Sequence, residues 1–323
     1  MAMEVSRESE ERETPFVNTG KSGIRLQQVG MLLAIAAPLC ITFYAASAVT
    51  TGRVSWVYPV VTFLAASLLS LGTTAGYHRM LTHQSFEAHP VVQYLLLISG
   101  AAAGMSSPVT WAHNHIHHHS HSDTENDIHS PHTPRFQGKT FEGMRKWLDA
   151  HMGWLLRHQP VKVSAKAREV TNTPAAQFVH RTSTLWLLLG VFLPLCFGWN
   201  AFVWFGMVRL FLNHHITWSV NSICHMWGQQ PFRNTKDQSK NNAIVGILAM
   251  GEGWHNNHHF RPTSARHGLF PGQLDLTYAF ICLLERCGLA SNVQRYAQCP
   301  GCRSWHAVTP QKSALCAQCS QAA

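Results

Sequence analysis

The stretch "WAHNHIHHHSHSDTENDIHSPH", residues 111–132, holds six histidines within positions 113–121. On a helix His115, His118 and His119 project at about 0°, −60° and +40°, a single face. Three neutral imidazoles on one face can donate nitrogen to one or two metals. His113, His117 and His121 fall on other faces, and spacing alone leaves the register open at His117. The same spacing returns in "GEGWHNNHH", 251–259, with His255, His258 and His259. Its surroundings are not histidine-rich, so composition does not explain the recurrence. A third piece, "GYHRMLTH" at 76–83, carries His78 and His83. A five-residue step on an α-helix leaves two rings about 140° apart. The spacing therefore predicts that the helix ends between them, at the membrane surface.

A membrane is implied by the rest of the chain. Of 323 residues 13% are charged and 46% apolar, and a mean hydropathy of −0.05 leaves room for a sizeable water-facing part. Residues 26–52, 54–77 and 182–208 contain no Asp, Glu, Lys, Arg or His. Each is long enough to cross a bilayer, which takes about 20 apolar residues. "CFGWN" at 196–200 reads as a turn, so the third run continues as a fourth span. The expectation is an all-α fold with four spans in two hairpins, the last pair at about 182–198 and 201–222. The run 91–112 is interrupted by "GAAAGMSSP" and is placed along the interface or re-entrant, which keeps all histidines on one side. Basic residues concentrate in 119–181, and the loop between the first two spans carries Arg53 alone. This bias puts both termini and the middle segment in the cytoplasm. Residues 1–25 read as a disordered tail without the apolar core of a signal peptide. The formal charge of +9 suits phosphate-bearing ligands or lipid headgroups better than nucleic acid, since no basic run is present. Ala66, Ser70 and Thr74 stack at four-residue spacing below His78, either leaving room for an alkyl chain or packing helices closely.

The three boxes, HxxxxH at 78–83 and HxxHH at 115–119 and 255–259, resemble those of integral-membrane fatty acyl desaturases. "HMGWLL" (151–156), "TWSVNSICHMWG" (217–228) and "GEGWHNNHHFRPTSARHG" (251–268) are similar to the stearoyl-CoA type, especially its bacterial members. The resemblance covers roughly residues 28–290. It implies a four-span stem under a cytosolic helical cap that holds two non-haem irons. It also implies a ninth ligand, His225, and a metal-bound water on Asn221, from the pattern NxxxH. The implied activity is conversion of CH2–CH2 in an acyl thioester or lipid to a cis double bond with dioxygen. Electrons would come from a ferredoxin, rubredoxin or cytochrome b5-like partner.

Such chemistry needs a strong metal-based oxidant, and a histidine-rich shell suits ferrous iron. Imidazole ligands need acceptors to fix their rings; of Asp123, Glu125, Asp127 and Glu252, the choice falls on Asp127 and Glu252. Arg135, Lys139, Arg145 and Lys146 are candidates for a phosphate-bearing head group. At the C-terminus Cys299, Cys302, Cys316 and Cys319 form two Cys-x-x-Cys knuckles, which read as a zinc ribbon in residues 296–323, beyond a membrane domain at 26–295. Acetylenation, hydroxylation or oxidative decarboxylation on the same scaffold is the nearest rival. A histidine-rich metal transporter is a rival of another class, but the spans carry few ligands towards the outer face.

Overall fold

The computed structural model describes residues 21–133, 140–157, 163–299 and 303–308. Its elements are helices α1 (Lys21–Thr50), α2 (Val57–Leu71), α3 (Pro90–Ala102), α4 (Pro108–His121), α5 (Gly143–His151), α6 (Ala165–Thr171), α7 (Pro174–Phe192), α8 (Trp199–Ala201), α9 (Arg209–Met226), α10 (Ala243–Leu248), α11 (His255–Phe260) and α12 (Leu276–Arg286). The fold is chiefly helical, but an all-α expectation omits two small antiparallel pairs. β1 (Glu87–Ala88) pairs with β2 (Ala290–Ser291), and β3 (Arg295–Gln298) with β4 (Trp305–Val308). The first pair fastens the chain just after the first histidine box to the chain just after α12.

Helix starts follow from local chemistry. Pro90, Pro108 and Pro174 open α3, α4 and α7, where a missing N–H is harmless. Ser107, Thr173 and Asp275 cap α4, α7 and α12, accepting from Thr110, Ala176 and Tyr278 N–H. Arg25–Thr50, Val57–Thr82 and Pro174–Phe197 are long and apolar enough to cross a membrane. α3, with 13 residues, reaches only about 20 Å at 1.5 Å per residue, short of a bilayer.

The chain does not leave its helix between His78 and His83. Instead α2 continues as a π-helix, Gly72–Thr82, and His83 N–H donates to His78 O at 3.0 Å. An i→i+5 turn holds one more residue than an α-turn, so positions five apart share a face. The two rings stand 4.9 Å apart, centroid to centroid. α-Helical angles do not apply here, because the backbone changes its period at the site.

Close packing holds this segment. A Cβ on Gly72 would lie 2.2 Å from Gly100 N, and one on Gly76 2.9 Å from Leu96 Cβ. Gly72→Val therefore forces α2 and α3 apart; a loss of about 1–3 kcal/mol is expected, measurable as a lower unfolding temperature in detergent. The small-residue row on α2 is packed as well. Ala66, Ser70 and Thr74 are buried; Asn213 Nδ2 donates to Ala66 O and Ser70 Oγ, and Thr277 Oγ1 donates to Thr74 Oγ1 at 2.8 Å.

A second π-helical stretch, Phe202–Val208, joins α8 to α9. Buried Arg209 donates to Ala102 O, Gly190 O and Phe205 O. Two of these carbonyls lack a helical donor: Ala102 closes α3, and Gly190 lies four residues before Pro194, which has no N–H. One guanidinium thus ties α3, α7 and α9 together.

Candidate metal centre

α4 and α11 each present an H-x-x-H-H segment, the π-helical end of α2 presents His78 and His83, and the end of α9 presents His225. Their ring nitrogens gather in two groups, each with all ligand atoms within 4.8 Å of one another: His78, His83, His115, His119 and His258, and His118, His225, His255 and His259. The two HxxHH segments divide in opposite senses. α4 gives its i,i+4 pair His115 and His119 to the larger group and His118 to the smaller. α11 gives the pair His255 and His259 to the smaller and His258 to the larger. Each helix therefore lies between the two groups and serves both. His113, His117 and His121 point elsewhere, to Thr171 Oγ1, Asn126 O and His117 O.

The nitrogens that converge are Nε2. His83 and His115 approach to 2.9 Å, His115 and His119 to 3.0 Å, His119 and His258 to 2.9 Å, and His78 and His258 to 3.1 Å. In the smaller group His255 Nε2 is 3.1 Å from both His225 Nε2 and His259 Nε2. His118 Nε2 is buried with no hydrogen-bond partner among the described residues.

The opposite ring edges are held by carboxylates. Nδ1 of His78, His118, His225 and His259 meets Glu252 (2.5 Å), Asp127 (3.0 Å), Asp123 (3.0 Å) and Asp237 (2.7 Å). Each carboxylate fixes a tautomer with the proton on Nδ1 and the lone pair on Nε2. Lone pairs facing one another at about 3 Å repel unless a cation lies between them. The donor set thus fits two metal ions that accept imidazole nitrogen. Asn221, partly buried, lies one α9 turn before His225.

Electrostatics keep the site in that state. Burial pushes His83, His115, His119, His255 and His258 well below the ordinary imidazole range, and neighbouring imidazoles add to it. Burial opposes charge on Glu252, but His78, His267 and Arg79 outweigh it and hold the carboxyl well below its usual range. Asp123 and Asp237 behave likewise beside His225 and His259. Arg79 is fully buried and donates to Glu252 Oε1 at 2.9 Å, Asp275 Oδ1 at 2.9 Å and Ala265 O at 2.7 Å.

The His267 ring lies 4.5 Å from that of His258, centroid to centroid, and its Nδ1 is 3.5 Å from Glu252 Oε2. Burial lowers it to about 4. The unfolded chain, near 6.5, binds more protons than the folded one between these values. Stability is therefore full above about pH 6.5 and is lost as pH falls toward 4. Metal-free protein should melt at progressively lower temperature over that window in a pH series of thermal denaturation.

The carboxylates Asp127 and Glu252, singled out from sequence, stand against His118 and His78. Asp123 was weighed without being chosen, and Asp237, Arg79, His267 and Asp275 were missed. Asp237 sits in the polar loop "QQPFRNTKDQSKNN" (229–242), where no spacing marks it; His267 was within the quoted third motif. Arg145 lies over the Phe141 ring, and Lys146 Nζ is 3.4 Å from His132 Nδ1. Arg135 and Lys139 lie outside the described residues, as do Cys302, Cys316 and Cys319. Cys299 is buried at the end of β3. The β3–β4 hairpin rests on the loops flanking α11: Trp305 meets Phe232 and Phe270 edge-on, and Arg261 Nη2 donates to Trp305 O.

Comparison with known proteins agrees with this geometry. The family model for fatty acid desaturase matches residues 53–269. The chain is 38% identical over 244 residues to a probable lipid desaturase, ADS3.2, chloroplastic, of Arabidopsis thaliana, covering 74% of this chain and 63% of the relative. It is 37% identical over 227 residues to the sn-1 stearoyl-lipid 9-desaturase of Anabaena variabilis, covering 69% and 79%. It is 32% identical over 262 residues to the hex-5-enoyl-[acyl-carrier protein] acetylenase of Moorena producens (strain JHB), covering 76% and 81%. The chain belongs to the fatty acid desaturase family, a family of oxidoreductases acting on fatty acyl groups.

Proposed function

We propose that this protein introduces a cis double bond into a fatty acyl chain, with two irons held by the nine gathered histidines. The observation that carries the reading is the division of the Nε2 atoms into groups of five and four. The reaction removes one hydrogen atom from each of two adjacent methylenes. Dioxygen takes these, two further electrons and two protons, and leaves as two waters. When bound, the irons supply the dioxygen activation that an unactivated C–H bond demands. The chain's own part is to present neutral nitrogen, fix ring orientation through Asp123, Asp127, Asp237 and Glu252, and place a water on Asn221. The donor of electrons is a separate ferredoxin, rubredoxin or cytochrome b5-like protein.

α8, the π-helical stretch and α9 act as the fourth span, with Arg209 satisfied inside the protein rather than by lipid. The site and termini face the cytoplasm of a bacterial inner membrane, as the basic residues of the middle segment favour. A phosphate-bearing carrier meets Arg135, Lys139, Arg145 and Lys146. The Cys-x-x-Cys pairs hold zinc in a ribbon whose first cysteine, Cys299, directly follows β3. Acetylenation is the second reading, favoured by the likeness to the Moorena producens acetylenase.

Expression in a host of defined lipid content, followed by mass spectrometry of acyl chains, tests the reading. A product two mass units lighter, with one cis double bond, is expected. No new unsaturation with iron, dioxygen and a reductant present sinks it, and a triple bond transfers it to acetylenation.

A further inference from the structure

The two histidine groups are unequally supported. In the four-histidine group three rings face carboxylates: His118 on Asp127, His225 on Asp123 and His259 on Asp237. In the five-histidine group one ring does so among the described residues, His78 on Glu252. Glu252 is also bound by Arg79, through Nη2 at 2.9 Å and Nε at 3.3 Å. Asp123 and Asp237 are completed by neutral donors, Ser130 Oγ and Gln238 N–H for the first and Ser239 N–H and Oγ for the second. A carboxylate on Nδ1 makes the opposite nitrogen a more basic ligand. Anionic charge nearby also favours the more highly charged metal, and a guanidinium on the same carboxylate offsets that.

The Asp123 contact has a second consequence. Asp123 follows α4 in sequence, yet it accepts from Gln238 N–H at 2.6 Å. It thereby pins the 229–242 loop, which carries Asp237, beside the smaller group. The loop is also fixed by Asn241, whose side chain donates to Asn257 Oδ1 at 2.7 Å, and by Asn256, which accepts from Phe232 N–H at 2.8 Å. The carboxylates of the smaller group are therefore rigidly placed, and their effect on the metal is built in.

We propose that the four-histidine site is the one that stabilises ferric iron, with Asp123, Asp127 and Asp237 setting the preference, while the five-histidine site favours ferrous iron. The inference rests on the di-iron reading and adds an order of oxidation to it. Asp123, Asp127 and Asp237 are positioning residues, acting through the rings they hold.

The test uses the full chain in detergent, loaded with 57Fe(II) without oxygen and then oxidised stepwise, with Mössbauer spectra at each step. Wild-type protein should bind two irons that oxidise at separate potentials. Asp237→Asn should weaken one ferrous equivalent about 10- to 100-fold and draw the two potentials together. Asp123→Asn, in a different segment, should do the same, and Glu252→Gln should weaken the other equivalent. Asp237→Glu should restore the separation. Two irons oxidising together in the wild type overturn the proposal. So does an Asp237→Asn variant that shifts the same equivalent as Glu252→Gln, or that lowers both affinities equally, as simple structural damage would. Wild-type protein that binds no iron refutes the di-iron reading itself, a result distinct from two equal irons.

Discussion

Replacing His258 with alanine should abolish desaturation, lowering it more than about 100-fold. Outer partners of a metal ligand already contribute 10- to 100-fold, and His258 is placed as a ligand itself. Its Nε2 stands 3.1 Å from His78 Nε2 and 2.9 Å from His119 Nε2. It is also the one histidine that α11 gives to the larger group. Its loss leaves four rings there, and iron content should fall from two towards one per chain. Metal analysis and the lipid assay together check this. His117→Ala is the control, because that ring turns to Asn126 O. Full activity in the His258→Ala variant would refute the ligand assignment.

The second large effect concerns stability. Arg79→Leu should cost about 3–5 kcal/mol, since breaking a buried ion pair leaves uncompensated charge behind. Arg79 is fully buried and bridges Glu252 and Asp275, so its removal strands two carboxylates. Asp275 is doubly committed, because it also accepts from His267 N–H, Gly268 N–H and Tyr278 N–H. Thermal unfolding of metal-free protein measures the loss. Adding Asp275→Asn to Arg79→Leu should recover part of it by removing one stranded charge. A loss below about 1 kcal/mol, the scale of exposed pairs, would show that the network does not hold the third box to α2.

Sequence made the gathering of the nine histidines legible, because residue type and helical spacing recur together. His115, His118 and His119 could be drawn on one face, and the echo at 255–259 fixed a register that His117 left open. The partition between two groups was not legible. It depends on two helices lying between the same pair of points, which is a tertiary fact. The His78–His83 pair was misread for a different reason. A π-helical backbone changes the angle per residue, and no residue type announces it. Asp237 was invisible because it reaches His259 from a loop 22 positions away, whereas Asp127 lies near its partner in sequence. The apolar runs were legible as membrane-length helices for three segments. The proposed fourth is interrupted by Arg209, His214 and His215, and its buried guanidinium makes sense only once Ala102 O and Gly190 O are seen beside it.

Nine imidazoles, in groups of five and four, are proposed to hold two irons. X-ray absorption at the iron edge, on purified protein with metal content determined on the same sample, tests this most directly. Two irons per chain are expected, surrounded chiefly by imidazole nitrogen and with no sulfur. One iron per chain, a sulfur-rich shell, or zinc in place of iron at the histidines would contradict the proposal.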